Sequence, residues 1–256
     1  MNVMKEMKIY SILFKAEFKR FWSTGMLLLT VPLTLISLVT LGSVQTGNIK
    51  LLSTFIDSAD IVVIFLSFII FTAGIVGADV KSGWLRTLLT RSVTREQYVI
   101  TKILVVFISI LIVFLISFSV DLLVISFNSK MVLTYDIAQT AVVFLLKVMH
   151  LLLMVIISAL ISCVIPGSFN GYFVLAWYSF SQAIGFIVMR NYWDMKWAVV
   201  LQDYLFPGGF DDAKNAIMMQ QSFPAAELLW GIAALMISFA WTLYSVNSIV
   251  VDTGSE

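Results

Sequence analysis

Apolar residues run almost unbroken through six stretches of the chain, near 24–43, 58–78, 98–127, 137–165, 170–189 and 226–251. An α-helix needs ~20 residues to cross a ~30 Å hydrocarbon core. Each stretch is long enough, and the third and fourth are longer, which predicts tilt or extension beyond the lipid. A barrel strand would alternate apolar and polar positions over ~10 residues, and these runs do not. The pattern predicts an all-α integral membrane bundle of six transmembrane helices. The whole of 1–256 reads as one transmembrane domain, with no separate soluble unit.

Ahead of the first run, residues 5–21 carry a different pattern. Lys8, Ser11, Lys15 and Lys19 recur at helical spacing, and Ile9, Ile12, Leu13 and Ala16 recur on another face. This predicts an N-terminal amphipathic interfacial helix, an elbow with its apolar side at the acyl boundary and its basic side toward headgroups. A plain basic anchor for the first span reads the same residues equally well.

Basic residues in short loops set orientation. Lys5, Lys8, Lys15, Lys19 and Arg20 precede the first span, and Lys81, Arg86, Arg91, Arg95 and Lys102 lie in the connection after the second. Both groups fall on one side if the first two spans form a hairpin. That side is expected to be cytoplasmic, and six crossings bring the C-terminus there too. The tail, with Asp252 and Glu256 and no Lys or Arg, adds nothing to this.

The 79–97 connection holds the most informative pattern. Trp84, Leu85, Leu88 and Leu89 share a helical face, ringed by Lys81, Arg86, Arg91 and Arg95. Thr94-Arg95-Glu96-Gln97 fits a capping box that would start the third span. The connection therefore reads as a short helix at 82–90, a turn and a capped helix. An apolar face on such a loop needs lipid or protein against it. Aromatic and leucine anchors with an arginine rim have the make-up of a binding hot spot. Beyond the fifth span, 190–225 is rich in aromatic residues. Pro207-Gly208-Gly209 marks a turn, and Asp211-Asp212 precedes a short helical run from Ala213. This stretch reads as an extracellular gate or re-entrant hairpin, or as a loop lying on the membrane surface.

Composition sharpens the picture. The chain is 60% hydrophobic and 12% charged, too little polar surface to wrap a water-soluble globule. A net charge of +1 gives no electrostatic case for nucleic acid. A single cysteine, Cys163, and a single histidine, His150, argue against a zinc site. No catalytic group, metal or cofactor is expected on this chain.

The 79–102 segment resembles the cytoplasmic loop between the second and third helices of ABC-2-type exporter permeases, of the small bacterial peptide and antibiotic export kind. The family pattern is an acid, three residues, Gly-Thr, Leu-Leu, often a Pro, then Ser-Arg and a Lys entering the next helix. Here Asp79, Gly83, Leu88-Leu89, Thr94-Arg95 and Lys102 match it. Asp79 stands in place of Glu, Trp84 in place of Thr and Ser92 in place of Pro. The layout agrees as well: an elbow, six spans, both ends inside and a long outer loop before the last span.

The resemblance implies a permease subunit moving an amphipathic substrate, such as a membrane-active or antimicrobial peptide, out of the cell. It implies a second permease subunit, identical or a close paralogue, and a cytoplasmic ABC ATPase. Asp79, Gly83, Trp84, Leu85, Arg86, Leu88, Leu89, Arg91 and Arg95 would couple to that ATPase. ATP and Mg would be bound there, since this chain has no Gly-x-x-x-x-Gly-Lys-Ser/Thr segment. A lipid or drug substrate, and a non-ABC scaffold or immunity protein, stay open.

Asp121, Lys147 and His150 lie within apolar runs, where charges face protein or water. Asp121 and Lys147 are expected to pair between the third and fourth helices, with His150 one turn deeper. They line a substrate path or simply fix helix register. Gln182, Gly185 and Gly231 are candidates for close helix packing or a cavity lining. An intramembrane enzyme finds no support: Gly167-Ser168-Phe169-Asn170-Gly171 misplaces the serine of Gly-x-Ser-x-Gly. An ion-coupled carrier would favour repeats and broken spans, and neither stands out.

Overall fold

The computed structural model describes residues 2–22, 47–50, 76, 79, 83–89, 93–127, 131–134, 137–164, 210, 213, 214, 217 and 225–248. The expected spans at 24–43, 58–78 and 170–189, with most of the 190–225 connection, lie outside the described residues. Among those described, the elements in chain order are α1 (Asn2–Phe21), β1 (Gly47–Lys50), α2 (Trp84–Leu89), α3 (Arg95–Phe127), β2 (Met131–Thr134), α4 (Ile137–Val164) and α5 (Ala225–Ser248).

Three helices, α3, α4 and α5, are long and apolar enough to cross a bilayer. α3 has 33 residues, ~50 Å at 1.5 Å each, which exceeds a hydrocarbon core. Its start is set by the capping box. Gln97 N donates to Thr94 Oγ1 (3.2 Å), and Thr94 N donates to Gln97 Oε1 (3.1 Å), so each satisfies an otherwise orphaned amide. The helix consequently begins at Arg95, three residues before the apolar run.

α4 is the hub. It packs on α5 through small and polar residues: Ala159 is fully buried and the Thr242 hydroxyl is shared between Ser238 O and Ile156 O. Small side chains let helix backbones approach closely where no hydrophobic effect drives association. The main core runs between α3 and α4, through Tyr98, Val99, Ile103, Val106, Ile110 and Phe114 against Val143, Leu151, Val155 and Ile156. Elsewhere the long helices turn large apolar side chains outward. Leu115, Leu123 and Phe127 on α3, Leu145 on α4, and Leu229, Met236, Trp241 and Tyr244 on α5 are all exposed. Such a surface fits lipid and not water.

The two ends of the bundle are distinguished by what gathers there. At one end α1, α2 and the start of α3 meet in a charged junction. The end of α5 joins them: Arg95 donates to the Asn247 carbonyl (3.0 Å), and the Asn247 amide donates to Glu96 (3.1 Å). At the other end β1 and β2 pair in parallel, with Gly47 opposite Met131 and Lys50 opposite Thr134. β2 follows α3 in the chain, so this pair lies at the end of the bundle away from the charged junction.

α1 is helical from Asn2, longer than the expected 5–21. Its faces also divide differently. Leu13 and Glu17, one turn apart, are buried, whereas Ile12 and Ala16 are exposed beside Lys15 and Lys19. The α1 helix is packed along α3, and it takes its inward face from the acid and the leucine.

Candidate functional site

The residues with most chemistry meet where α1, α2 and α3 converge. Glu17 and Arg20 come from α1, Asp79 from the turn ahead of α2, Trp84 from the first position of α2, and Tyr98 and Lys102 from the first turns of α3. Lys102 Nζ lies 2.6 Å from Glu17 Oε2 and 2.7 Å from Asp79 Oδ2. Arg20 donates to Asp79 Oδ1 and stands 3.7 Å from Glu17 Oε1. Two acids and two bases thus alternate around a closed ring.

Two aromatic donors complete it. Tyr98 Oη donates to Asp79 Oδ2, and Trp84 Nε1 donates to Glu17 Oε1 (3.1 Å). The Arg20 guanidinium also lies over the Trp84 ring, 5.3 Å from its centroid, a cation–π contact. Both carboxylates are almost wholly buried, with side chains only 2% exposed. A buried carboxylate is tolerated when it is paired and hydrogen-bonded, and each of these has at least three partners. Burial alone would push the Asp79 carboxyl up. The Lys102 ammonium and the Arg20 and Tyr98 hydrogen bonds outweigh it and hold the group below its ordinary range. Burial would lower the Arg20 guanidinium, but Asp79 and Glu17 raise it instead.

Local sequence explains how the pieces reach one point. Glu17 and Arg20 are three apart and share a helix face with Leu13. Asp79 N donates to Val76 O (3.0 Å), and Val76 N donates to Ser162 Oγ (2.9 Å), so this turn is fixed to the end of α4. Gly83 has φ +72°, a left-handed conformation that favours glycine, and it swings the chain into α2. Its carbonyl then accepts from Thr87 N, the first bond of that helix (3.2 Å). Further along, Trp22 Nε1 donates to Ser109 Oγ (3.0 Å), so the end of α1 climbs beside α3.

The sequence-derived candidates fall into three groups. Asp79, Trp84 and Arg95 are engaged in the contacts above, and Leu85 is buried in the core beneath α2. Trp84 is partly exposed, at 36%, so its ring faces both inward and outward. Arg86, Leu88 and Leu89 are in α2, but their side chains, and Arg91 entirely, lie outside the described residues. Lys147 and His150 are both buried on one face of α4, one turn apart. Asp121 belongs to α3, but its side chain is outside the described residues, so the expected ion pair with Lys147 is not among the described contacts.

Glu17, Arg20, Tyr98 and Lys102 were not singled out as site residues by sequence reasoning. The available signal was Glu17, an acid set among five basic residues of α1 at a spacing that aligns it with Leu13. At the opposite end, Phe210, Ala213, Lys214 and Ile217 are helical and recur at i, i+3, i+4 and i+7. Phe210 is 2% exposed and shares a core with Leu146, Leu153 and Ile157 of α4. Gly231 of α5 faces its ring so closely that an added Cβ would stand 3.0 Å from it. Gly231 is ~9 Å along α5 from Ala225. Gln139, in the first turn of α4, donates to the Ile217 carbonyl (3.1 Å). Ile217 thus meets the first turn of α4, and Phe210 meets that helix further along, at Leu146 and Leu153.

No family model, curated protein or solved structure matches the chain.

Proposed function

We propose that this chain is the permease subunit of an ATP-binding-cassette exporter, and that α2 transmits work from a separate cytoplasmic ATPase into the membrane bundle. The observation that carries the reading is the ring of Glu17, Arg20, Asp79 and Lys102. It fastens the first residue of α2 to both α1 and α3. A short helix that only rested on lipid would need no such fastening. A helix that is pushed does, because a force on it must move the long helices and not merely bend a loop.

In this reading the chain crosses the bilayer six times, with α1 as an interfacial elbow and both termini in the cytoplasm. The parallel pairing of β1 and β2 supports the parity, since both strands leave the same end of the bundle in one direction. The Arg95 and Glu96 contacts with Asn247 support it too, by setting the end of α5 beside the start of α3. Two such subunits form the path, each seated on an ATPase. The 210–217 segment closes the outer end. The apolar outward faces favour an amphipathic cargo, a membrane-active peptide first.

The test is purification of the full-length protein from its native membranes, followed by reconstitution with the Walker-motif ATPase that accompanies it. ATP hydrolysis stimulated by amphipathic peptides, and lost when Thr87 on the exposed side of α2 is replaced by Asp, is the expected result. An ATPase that never co-purifies, or activity indifferent to α2, overturns the reading.

A further inference from the structure

The outward face of α1 has a composition that the exporter reading does not use. Ile12, Lys15, Ala16 and Lys19 are all exposed and follow one another at i, i+3, i+4 and i+7, a single stripe. Its charge is wholly positive, because the neighbouring acid, Glu17, is turned inward to Lys102 and Arg20. Over 12–19, the acid Glu17 faces the protein, and Lys15 and Lys19 face outward. Arg20, beside Lys19, is 43% exposed but is held in the ring by Asp79 and Glu17, which leaves the stripe to the two lysines.

The height of the stripe is fixed by two contacts. Glu17 meets Lys102, at the level where the apolar run of α3 begins. Trp22 meets Ser109, ~10 Å further along α3 at 1.5 Å per residue. Lys15 and Lys19 flank the level of Lys102, where hydrocarbon gives way to headgroups. Ile12 and Ala16 between them present apolar surface at the same height. Lysine stems lie along such surface while their ammonium groups reach outward.

We propose that this stripe is a binding surface for anionic phospholipid headgroups, with Lys15 and Lys19 as the selecting cations. The proposal rests on α1 lying at the membrane surface and not on ATP-driven transport. Neutral lipid would satisfy Ile12 and Ala16 equally well, so selection comes from the lysines alone. A basic residue near an anionic surface contributes about fivefold in affinity, so the pair contributes roughly 25-fold.

The experiment uses the full-length protein in lipid nanodiscs that contain photoreactive phosphatidylglycerol or photoreactive phosphatidylcholine with the same chains. Labelled residues are mapped by mass spectrometry. Labelling of 9–20 that favours phosphatidylglycerol, weakens in high salt, and falls to the phosphatidylcholine level in the Lys15→Gln/Lys19→Gln variant supports the proposal. The Lys15→Arg/Lys19→Arg variant should keep the preference. Labelling on the exposed face of α5 near Trp241 should be the same in every variant, which reports an intact bundle. Equal labelling of α1 by both lipids overturns the proposal while leaving α1 at the surface. Absence of labelling on α1, with α5 still labelled, overturns the surface placement as well, and neither result bears on the ATPase.

Discussion

Lys102 Nζ lies 2.7 Å from one oxygen of Asp79, joining the first turns of α3 to the residue that comes shortly before α2. Asp79→Asn keeps the shape and removes the charge, leaving Arg20 and Lys102 with one buried acid between them. Breaking a buried pair from one side costs about 3–5 kcal/mol, so the variant should unfold at lower temperature in detergent. A second variant, Asp79→Asn with Lys102→Met, should be less damaged than the sum of the two single changes. Strict additivity would mean that the two groups act independently.

The same carboxylate gives a pH signature. Its folded value is depressed, so its stabilisation is complete above the unfolded value of ~3.9 and is lost as pH falls through the lower folded value. The stability gap between wild type and Asp79→Asn should be flat from pH 8 to pH 5 and close only in stronger acid (values about those of a free carboxyl). Thermal unfolding across that range checks it, and a gap that narrows near neutrality would contradict the assignment.

Trp84 makes two separable contacts, the hydrogen bond to Glu17 and the ring under Arg20. Trp84→Phe loses the first and keeps much of the second, a loss of about 1.5 kcal/mol for a bond to a charged acceptor. Trp84→Ala loses both, with ~1 kcal/mol more. In the reconstituted complex, Trp84→Ala should leave basal ATP hydrolysis in place and reduce its stimulation by substrate. Stimulation equal to wild type would remove α2 from the coupling route.

Gly231 and Phe210 form a tight seat. Gly231→Ala should destabilise by about 1–2 kcal/mol, the cost of overpacking less the helical gain of alanine. In a Phe210→Ala background the ring is gone, and the same change should be neutral or stabilising by up to about 1 kcal/mol. Cysteine labelling at Ile217 should rise in Gly231→Ala if the segment is lifted as a unit.

Thr94→Ala removes one half of the capping box and should cost about 1 kcal/mol. Gln97→Ala should cost less, since the Thr94 amide it serves is exposed and can turn to water. Denaturant unfolding in detergent measures both.

Much of this architecture was legible in local pattern. The capping box named the start of α3 to the residue, and the apolar runs named α4 and α5 to within a few residues, because hydrogen bonds and lipid contact act locally. The short helix after Gly83 followed from its apolar spacing. The charged ring was not legible as a ring. Glu17, Asp79 and Lys102 are far apart in sequence, and their attraction depends on where three segments meet. The faces of α1 were legible only in part: Ile9, Ile12, Leu13 and Ala16 share an apolar face in the sequence pattern, and the pattern does not say which of them packs on protein. Burial of Glu17 beside Leu13 sets the inward face. Phe210 in its seat depends on a glycine some twenty positions away, which no periodicity announces.

The ring of Glu17, Arg20, Asp79 and Lys102 sums to zero charge. An isolated ion resists displacement toward oil, since its hydration must be stripped as it goes. A self-neutralising knot carries its own counterions, so a shift of an ångström or two toward the lipid costs less than it would for any one of its charges alone. The junction can therefore be stiff inside and still be free to travel as one body.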